Sequence, residues 1–125
     1  MKYLLDVNVL LAGIWENHPQ HDKSFAWLAG KSILLCPLSE LGFLRVSTHP
    51  KAVNAPMDKA RELLAKFSKD RDATWIPDDL AATHSHPKQS DEVTDMYLAE
   101  LAAKHGAKLA TFDRRINHKA VEVII

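Results

Sequence analysis

Short apolar runs of strand-forming residues alternate along the chain with longer stretches in which apolar residues recur at helical spacing. This alternation is typical of an α/β domain, with a central, mainly parallel β-sheet and helices on both of its faces. The apolar runs predict five strands, at Tyr3–Leu5, Ile33–Cys36, Ala73–Ile76, Lys108–Ala110 and Val121–Ile124. The stretches of helical period predict five helices, at Val9–Trp15, Gln20–Ala29, Leu38–Ser47, Met57–Ser68 and Asp91–His105.

Glycine and proline indicate where these elements end. Gly30 and Gly106 each follow a helical run, so both are predicted to cap a helix at its C-terminus. The segment from Pro77 to Gln89 has no regular pattern, which predicts a loop.

Composition narrows the class of protein. A chain of 125 residues has the size of one domain, so residues 1–125 are expected to form a single domain. The 16 Lys and Arg residues balance the 16 Asp and Glu residues, which excludes nucleic-acid binding driven by overall charge.

The single cysteine, Cys36, lies in an apolar run and predicts a buried thiol in a reducing cytoplasm. No apolar run approaches the ~20 residues that cross a bilayer, so we expect a cytoplasmic protein without a membrane partner.

Four carboxylates interrupt apolar surfaces. Asp6 and Asp113 follow apolar strands, at the point where each strand leaves the predicted sheet. Glu40 and Asp95 lie on the apolar stripes of two helices, and the helix that carries Glu40 follows a strand directly. Because strands of a parallel sheet end at one edge, the four acids are expected to converge there, where α/β proteins bind ligands.

Converging carboxylates repel one another unless protons or cations lie between them. Hard oxygen ligands favour Mg²⁺ or Mn²⁺, and two such ions about 3.5–4 Å apart activate water for phosphodiester hydrolysis. Each acid taken singly is more often a helix cap, a turn residue or a surface charge, so the prediction depends on all four together. Asp91 lies one helical turn before Asp95, where it can reach the same site, but we favour its interpretation, with Glu92, as an acid that complements the helix N-terminus.

The motifs around these acids resemble those of the PIN-domain family, and most of all the VapC-type toxin ribonucleases of bacterial toxin–antitoxin pairs. The resemblance covers nearly the whole chain in order. The matching segments are Leu5–Leu11, His18-Pro19 with His21, Ser39-Glu40-Leu41 with Leu44-Arg45-Val46, Val93–Ala102, and Leu109–Arg114.

The resemblance implies a PIN-like nuclease whose acidic quartet is Asp6, Glu40, Asp95 and Asp113. In that family the quartet binds Mg²⁺ or Mn²⁺ and activates water for RNA cleavage. Asn8 matches a polar position that holds a ligand or water, and Thr111 matches a hydroxyl position that orients the site. The resemblance also implies a homodimer, an RNA substrate and a VapB-type antitoxin that shields the site.

The basic residues, the tryptophans and the histidines can each be explained either by a function or by structure alone. Arg45, Arg114 and Arg115 are possible contacts to RNA phosphates, although a solvated surface position is as good an explanation for each one. The three tryptophans lie in apolar runs, which favours core packing or a dimer surface over base stacking. The histidines His18 and His21 have metal-compatible spacing but are better explained by a turn and a helix start, because no third ligand is near them in sequence.

Two other functions stay open from the residues alone. A regulatory phospho-acceptor (receiver-like) domain would also place acids at the edge of a parallel sheet, with Asp78 or Asp79 as the acceptor. A catalytically silent PIN-like binding module would keep the fold without the chemistry. The loop from Pro77 to Gln89 is expected to vary and to influence substrate choice.

Overall fold

The computed structural model describes residues 1–124 and contains one five-stranded sheet. Its strands are β1 (Lys2–Leu5), β2 (Ser32–Leu35), β3 (Thr74–Trp75), β4 (Lys108–Thr111) and β5 (Val121–Val123). The strand order is β3-β2-β1-β4-β5, and every pairing between these described strands is parallel. In the centre of the sheet, Leu4 pairs with Leu34 on one side and with Leu109 on the other. The predicted α/β class with a parallel sheet is confirmed.

The helices are α1 (Val7–Ile14), α2 (His21–Leu28), α3 (Pro37–Thr48), α4 (Met57–Asp70) and α5 (Val93–Lys104). Helix α1 begins two residues before its predicted start, because the Asp6 carboxylate accepts the amide hydrogen of Val7 and so caps the helix. Helix α5 begins two residues after its predicted start, because Ser90–Glu92 form a tighter 3₁₀ turn.

Helices cover both faces of the sheet, as predicted. On one face, Tyr3 and Leu5 of β1 pack with the buried side chains of α1 to α4. On the other face, Leu4 and Leu109 pack with those of α5. The central strands are therefore apolar on both sides, which is typical of a buried parallel sheet. The Cys36 thiol is fully buried, as predicted.

Strand β3 is much shorter than predicted and lies at an edge of the sheet. It has two residues and pairs only with β2, through Leu34 with Thr74 and Leu35 with Trp75. Trp75 is 57% exposed, so of the two predicted roles, core packing or a dimer surface, core packing is wrong for this residue. An apolar run predicts burial only when other elements cover both faces of the strand. The face of β3 that carries Trp75 is not covered. Trp15 and Trp27 do pack against the core.

The structure of the glycine caps, the 77–89 loop and the last strand agrees closely with the prediction from the sequence. Gly30 and Gly106 adopt positive φ angles of 74° and 66° after α2 and α5, which confirms both caps. The predicted loop from 77 to 89 holds one short 3₁₀ turn, Ala82–His84, and is otherwise irregular. The last predicted strand residue, Ile124, follows β5, and Ile125 of the predicted domain lies outside the described residues. None of the helices in residues 1–124 is long and apolar enough to span a membrane.

Candidate active site

Asp6 lies at the carboxyl end of β1 and is almost completely buried, with 4% of its surface exposed. One carboxylate oxygen accepts the Val7 amide hydrogen at 2.7 Å, and the other accepts the Thr111 hydroxyl hydrogen at 2.8 Å. Burial raises the pKa of Asp6, and the charge of Asp113 raises it further, whereas the two hydrogen bonds lower it. The structure therefore fixes this carboxyl group firmly in a place that disfavours its negative charge.

Thr111 connects the ends of the two central strands that carry acids. This fully buried residue ends β4, donates its hydroxyl hydrogen to Asp6, and accepts the Asp113 amide hydrogen at 3.1 Å. One side chain thus sets the position of both acids relative to each other.

Asp95 is the third residue of α5 and is partly buried. Its pKa is raised from the usual 3.8 to about 6, first by burial and then by the negative charges of Asp6 and Asp113. The charges that act on Asp95 thus bring three of the four predicted acids into one electrostatic cluster at the carboxyl edge of the sheet.

Asp113 is turned towards a neighbouring arginine. The Arg115 guanidinium donates two hydrogen bonds to its carboxylate, from Nε at 3.1 Å and from Nη2 at 3.0 Å. This bonding holds the pKa of Asp113 below its usual range. The same guanidinium lies 3.9 Å from a carboxylate oxygen of Asp91. Arg115 therefore supplies a positive charge inside the acidic cluster, a role that its sequence position did not indicate.

A cavity of about 220 Å³ opens beside these groups. Its lining comprises Gln89, Asp91, Glu92, Asp95, Met96, Asp113, Arg115 and Ile116. Asp91 lies in the 3₁₀ turn before α5, so it stands in the wall of the cavity rather than in the first turn of that helix. Its place in the lining agrees with the alternative that Asp91 reaches the same site as Asp95, and its position directly before α5 is compatible with complementing the helix N-terminus.

Glu40 lies close to the cluster through its backbone, but its side chain points elsewhere. It is the fourth residue of α3, and the preceding Ser39 donates its hydroxyl hydrogen to the Leu5 carbonyl oxygen at 2.9 Å, next to Asp6. The Glu40 carboxylate accepts the indole hydrogen of Trp75 at 3.1 Å. It lines a second groove, between α3 and α4, rather than the cavity beside Asp95.

The donor set suits a hard divalent cation, because carboxylate oxygens that repel one another are the ligands Mg²⁺ and Mn²⁺ prefer. Across residues 1–124, however, no three His, Cys, Asp or Glu side chains are arranged to hold a metal ion as they stand. Asp113 is bound to Arg115 and Glu40 to Trp75, so both carboxylates have to rotate before all four acids share an ion.

The other residues singled out from the sequence have different settings. Asn8 is exposed in the first turn of α1, and Arg45 and Arg114 are exposed as well. His21 begins α2 and donates from Nδ1 to the Ala12 carbonyl oxygen at 2.7 Å, so its role is structural.

The acids expected of a phospho-acceptor site have structural partners. The Asp78 carboxylate accepts the Leu38 amide hydrogen at 3.1 Å, at the start of α3. Asp79 binds the His105 ring nitrogen Nε2 at 2.8 Å, at the end of α5. These contacts attach the loop to two helices and leave the Asp6 cluster as the chemically unusual group of acids.

Comparisons with known proteins agree with this geometry. The family model described as PIN domain matches residues 3–122. Ribonuclease VapC38 of Mycobacterium tuberculosis is 36% identical, over 88% of this chain and 84% of that protein. Ribonuclease VapC44 of the same species is 34% identical, over 97% of this chain and 92% of that protein.

A solved structure shares the fold. The crystal structure of VapBC2 from Rickettsia felis, bound to a DNA fragment from their promoter, contains a chain with a TM-score of 0.64 and 18% sequence identity. The similarity covers 98% of each chain, so the whole arrangement of strands and helices corresponds. Together with the match over residues 3–122 and the relatives above 30% identity, this places the chain in the PIN-domain family, among its VapC-type members.

Proposed function

We propose that this protein is a Mg²⁺- or Mn²⁺-dependent endoribonuclease that acts as the VapC-type toxin of a toxin–antitoxin pair. The observation that carries the proposal is the cluster of Asp6, Asp95 and Asp113, in which the charges of Asp6 and Asp113 raise the pKa of Asp95 and the charge of Asp113 raises that of Asp6. Repulsion of this kind persists in a folded protein when a bound cation compensates for it. The names of the VapC38 and VapC44 relatives support the ribonuclease assignment.

The proposed ligands are Asp6, Asp95 and Asp113, together with Glu40 once its side chain rotates. A divalent ion held by these residues would supply Lewis acidity to a phosphodiester and would lower the pKa of a water molecule, so that it loses a proton and becomes a nucleophile near neutral pH. Asp6 needs no movement, because the Val7 amide and the Thr111 hydroxyl already orient its carboxylate.

In this proposal, Arg115 also contacts a phosphate of the RNA. If Asp113 served as a metal ligand, the Arg115 guanidinium would give up its two hydrogen bonds to that carboxylate and would be available to a phosphate of the RNA. Arginine binds carboxylate and phosphate with the same planar geometry, so the exchange replaces one set of charged hydrogen bonds with another. Arg45 and Arg114, both exposed, are proposed as further phosphate contacts.

The biological setting follows from the relatives. The similar fold in the VapBC2 structure belongs to a complex named for its toxin and antitoxin, which supports a cognate VapB-type antitoxin as the partner of this chain. A homodimer and a cytoplasmic location complete the proposal.

Two substitutions test the chemistry. Asp6→Asn and Asp95→Asn keep the size of each side chain but remove a ligand charge. Changes to groups that only support a metal ligand cost about 10- to 100-fold in activity, so loss of a ligand itself should reduce cleavage by more than about 100-fold. The measurement is cleavage of single-stranded RNA in Mn²⁺, with Asp58→Asn, an exposed acid on α4, as the matched control.

Cleavage that continues unchanged in EDTA, or in both site variants, contradicts the proposed chemistry. A catalytically silent binding module would show no metal-dependent cleavage in the wild type or in Asp58→Asn.

A further inference from the structure

The cavity beside the acidic cluster contains residues that hydrolysis does not need. Besides the acids and Arg115, its lining includes Gln89, Met96 and Ile116. Met96 and Ile116 are partly buried apolar residues, whereas Gln89 is exposed. Metal-assisted hydrolysis uses carboxylates and water, so an amide and two apolar side chains in the same cavity indicate contact with another part of the substrate.

The volume of the cavity limits what it can hold. A cavity of roughly 150 Å³ is enough for a benzene ring, so the cavity of about 220 Å³ accommodates one aromatic ring system. Asp95 and Asp113 belong to the same lining, so a group bound in this cavity lies directly beside the proposed hydrolytic site. In an RNA strand, the ring systems next to a phosphate are nucleobases.

The lining also matches the chemistry of a nucleobase. Apolar side chains and the polarisable thioether of methionine pack well against flat aromatic rings. The Gln89 amide both donates and accepts hydrogen bonds, and the carboxylates of Asp91 and Glu92 in the same lining accept them. Because those carboxylates are negative, they favour an uncharged ring that carries N–H donors over a bare phosphate. Proteins bind unpaired bases in this way, with apolar side chains on the ring faces and polar groups at the edges.

Gln89 is held at this cavity by the loop that precedes it. It is the last residue of the 77–89 loop, which Asp78 attaches to the start of α3 and Asp79 to the end of α5. The Gln89 carbonyl oxygen accepts the Glu92 amide hydrogen at 3.1 Å, which begins the turn into α5. The sequence predicts that this loop influences substrate choice, and Gln89 is the residue through which the loop reaches the cavity.

We propose that Gln89, Met96 and Ile116 form a base-binding pocket that selects adenine beside the cleaved phosphate. A glutamine amide pairs with adenine through two hydrogen bonds, one to the ring acceptor N7 and one from the amino group at N6. Uracil has no amino group and would turn its carbonyl oxygens towards the carboxylates. The inference rests on the proposed ribonuclease function and adds a base preference to it.

Binding is measured apart from cleavage, with adenosine and uridine as probes, because neither nucleoside carries a phosphate or needs a metal ion. The protein is isotope-labelled at its methionine methyl groups and followed by NMR in EDTA. Of the three methionines, Met96 lines the cavity, while Met1 and Met57 are exposed outside it and serve as internal references. Adenosine should shift the Met96 signal saturably, and uridine should bind at least about tenfold more weakly.

Two glutamine substitutions test the source of the preference. Gln89→Ala should weaken adenosine binding about tenfold and leave uridine binding within about threefold. Gln20→Ala, at the start of α2 and outside the cavity, is the matched control and should bind both nucleosides as the wild type does. Thermal unfolding curves establish that each variant is folded. In Mn²⁺, end-mapping of cleaved random-sequence RNA should show adenine enriched beside the cut for the wild type and Gln20→Ala, but not for Gln89→Ala.

An unchanged Met96 signal in adenosine, equal affinity for the two nucleosides, or cleavage without base preference overturns the inference. A Met96 signal that moves with arginine amide and with neither nucleoside also overturns it, because this indicates a cationic side chain of a partner as the occupant. Failure of the proposed function has a different result: adenosine then shifts the Met96 signal while the wild type leaves RNA uncleaved in Mn²⁺, which supports the pocket and refutes the nuclease.

Discussion

At the scale of single residues, the most informative group is Asp95, whose pKa lies near 6 instead of 3.8. The folded protein binds this proton more tightly than the unfolded chain does. The resulting stabilisation is complete below about pH 4, where both states are protonated at this residue, and is lost as the pH rises through 6. Without metal at neutral pH, Asp95 therefore opposes folding.

Asp95→Asn should thus stabilise the metal-free protein. A shift of about two pKa units corresponds to at most about 3 kcal/mol, and solvent screening of this half-buried group reduces it, so we expect a gain of about 1–2 kcal/mol at pH 7.5. The measurement is urea unfolding in EDTA at pH 4 and pH 7.5, with Asp58→Asn as the control. The gain should vanish at pH 4, and a variant less stable than the wild type at pH 7.5 would contradict this account.

The sequence could predict which acids matter more readily than where their side chains point. Apolar context and strand order are enough to bring Asp6, Asp95 and Asp113 to one edge of the sheet. The turn of Glu40 towards Trp75 and the pairing of Asp113 with Arg115 depend on rotamers and on local hydrogen bonds, for which spacing along the chain carries no signal.

At the scale of elements, the placement of α3 decides where Glu40 stands, and Gly42 permits that placement. A Cβ at Gly42 would lie 2.5 Å from Cγ2 of Val7 in the first turn of α1, and 3.4 Å from its Cγ1. The two helices thus touch at the point where each leaves the sheet. Because Val7 is β-branched, its side chain has little freedom to move aside.

Gly42→Ala should therefore destabilise the protein by about 1–3 kcal/mol through overpacking. In an ordinary helix interior, the same change adds about 1 kcal/mol of stability. The double variant Val7→Ala/Gly42→Ala removes both methyl groups of the clash and should recover part of the loss, as chemical unfolding of the four members of the cycle will measure. A single Gly42→Ala variant more stable than the wild type would refute the contact.

Prediction from the sequence was better for long elements than for short ones. Helix α4 has a clear apolar stripe, and its start at Met57 was predicted correctly. Strand β3 and the turn at Ser90–Glu92 were not, because two or three residues hold too little periodicity and their geometry depends on the neighbouring elements.

At the scale of the whole molecule, a net charge of zero coexists with a concentrated acidic site. Arg115 compensates part of that charge, and the proposed cations would reverse its sign where the phosphate binds. The net charge of the chain therefore does not indicate the class of substrate. The acidic cluster and the ribonucleases to which the chain is similar are more informative. An active nuclease of this kind needs a partner to restrain it in the cell.

Expression of the protein alone in a bacterial host should arrest growth, since RNA cleavage would be unrestrained. The Asp6→Asn variant, expressed at the same level, should not arrest growth, and co-expression of the proposed VapB-type antitoxin should restore growth for the wild type. Growth curves with matched immunoblots measure this. Normal growth in the presence of folded wild-type protein would exclude the toxin role.

The pairing of β1 with β4 has a consequence for the timing of synthesis. The hydrogen bond from Thr111 to Asp6 joins residues that are 105 positions apart in sequence. Asp6 therefore acquires this partner only after Thr111 has been synthesised. Contacts this distant in sequence form late, and translation adds only about 5–20 residues per second. A chain released before residue 113 therefore contains Asp6 without Asp113, so the two acids come together only after β4 and the residues that follow it have been synthesised.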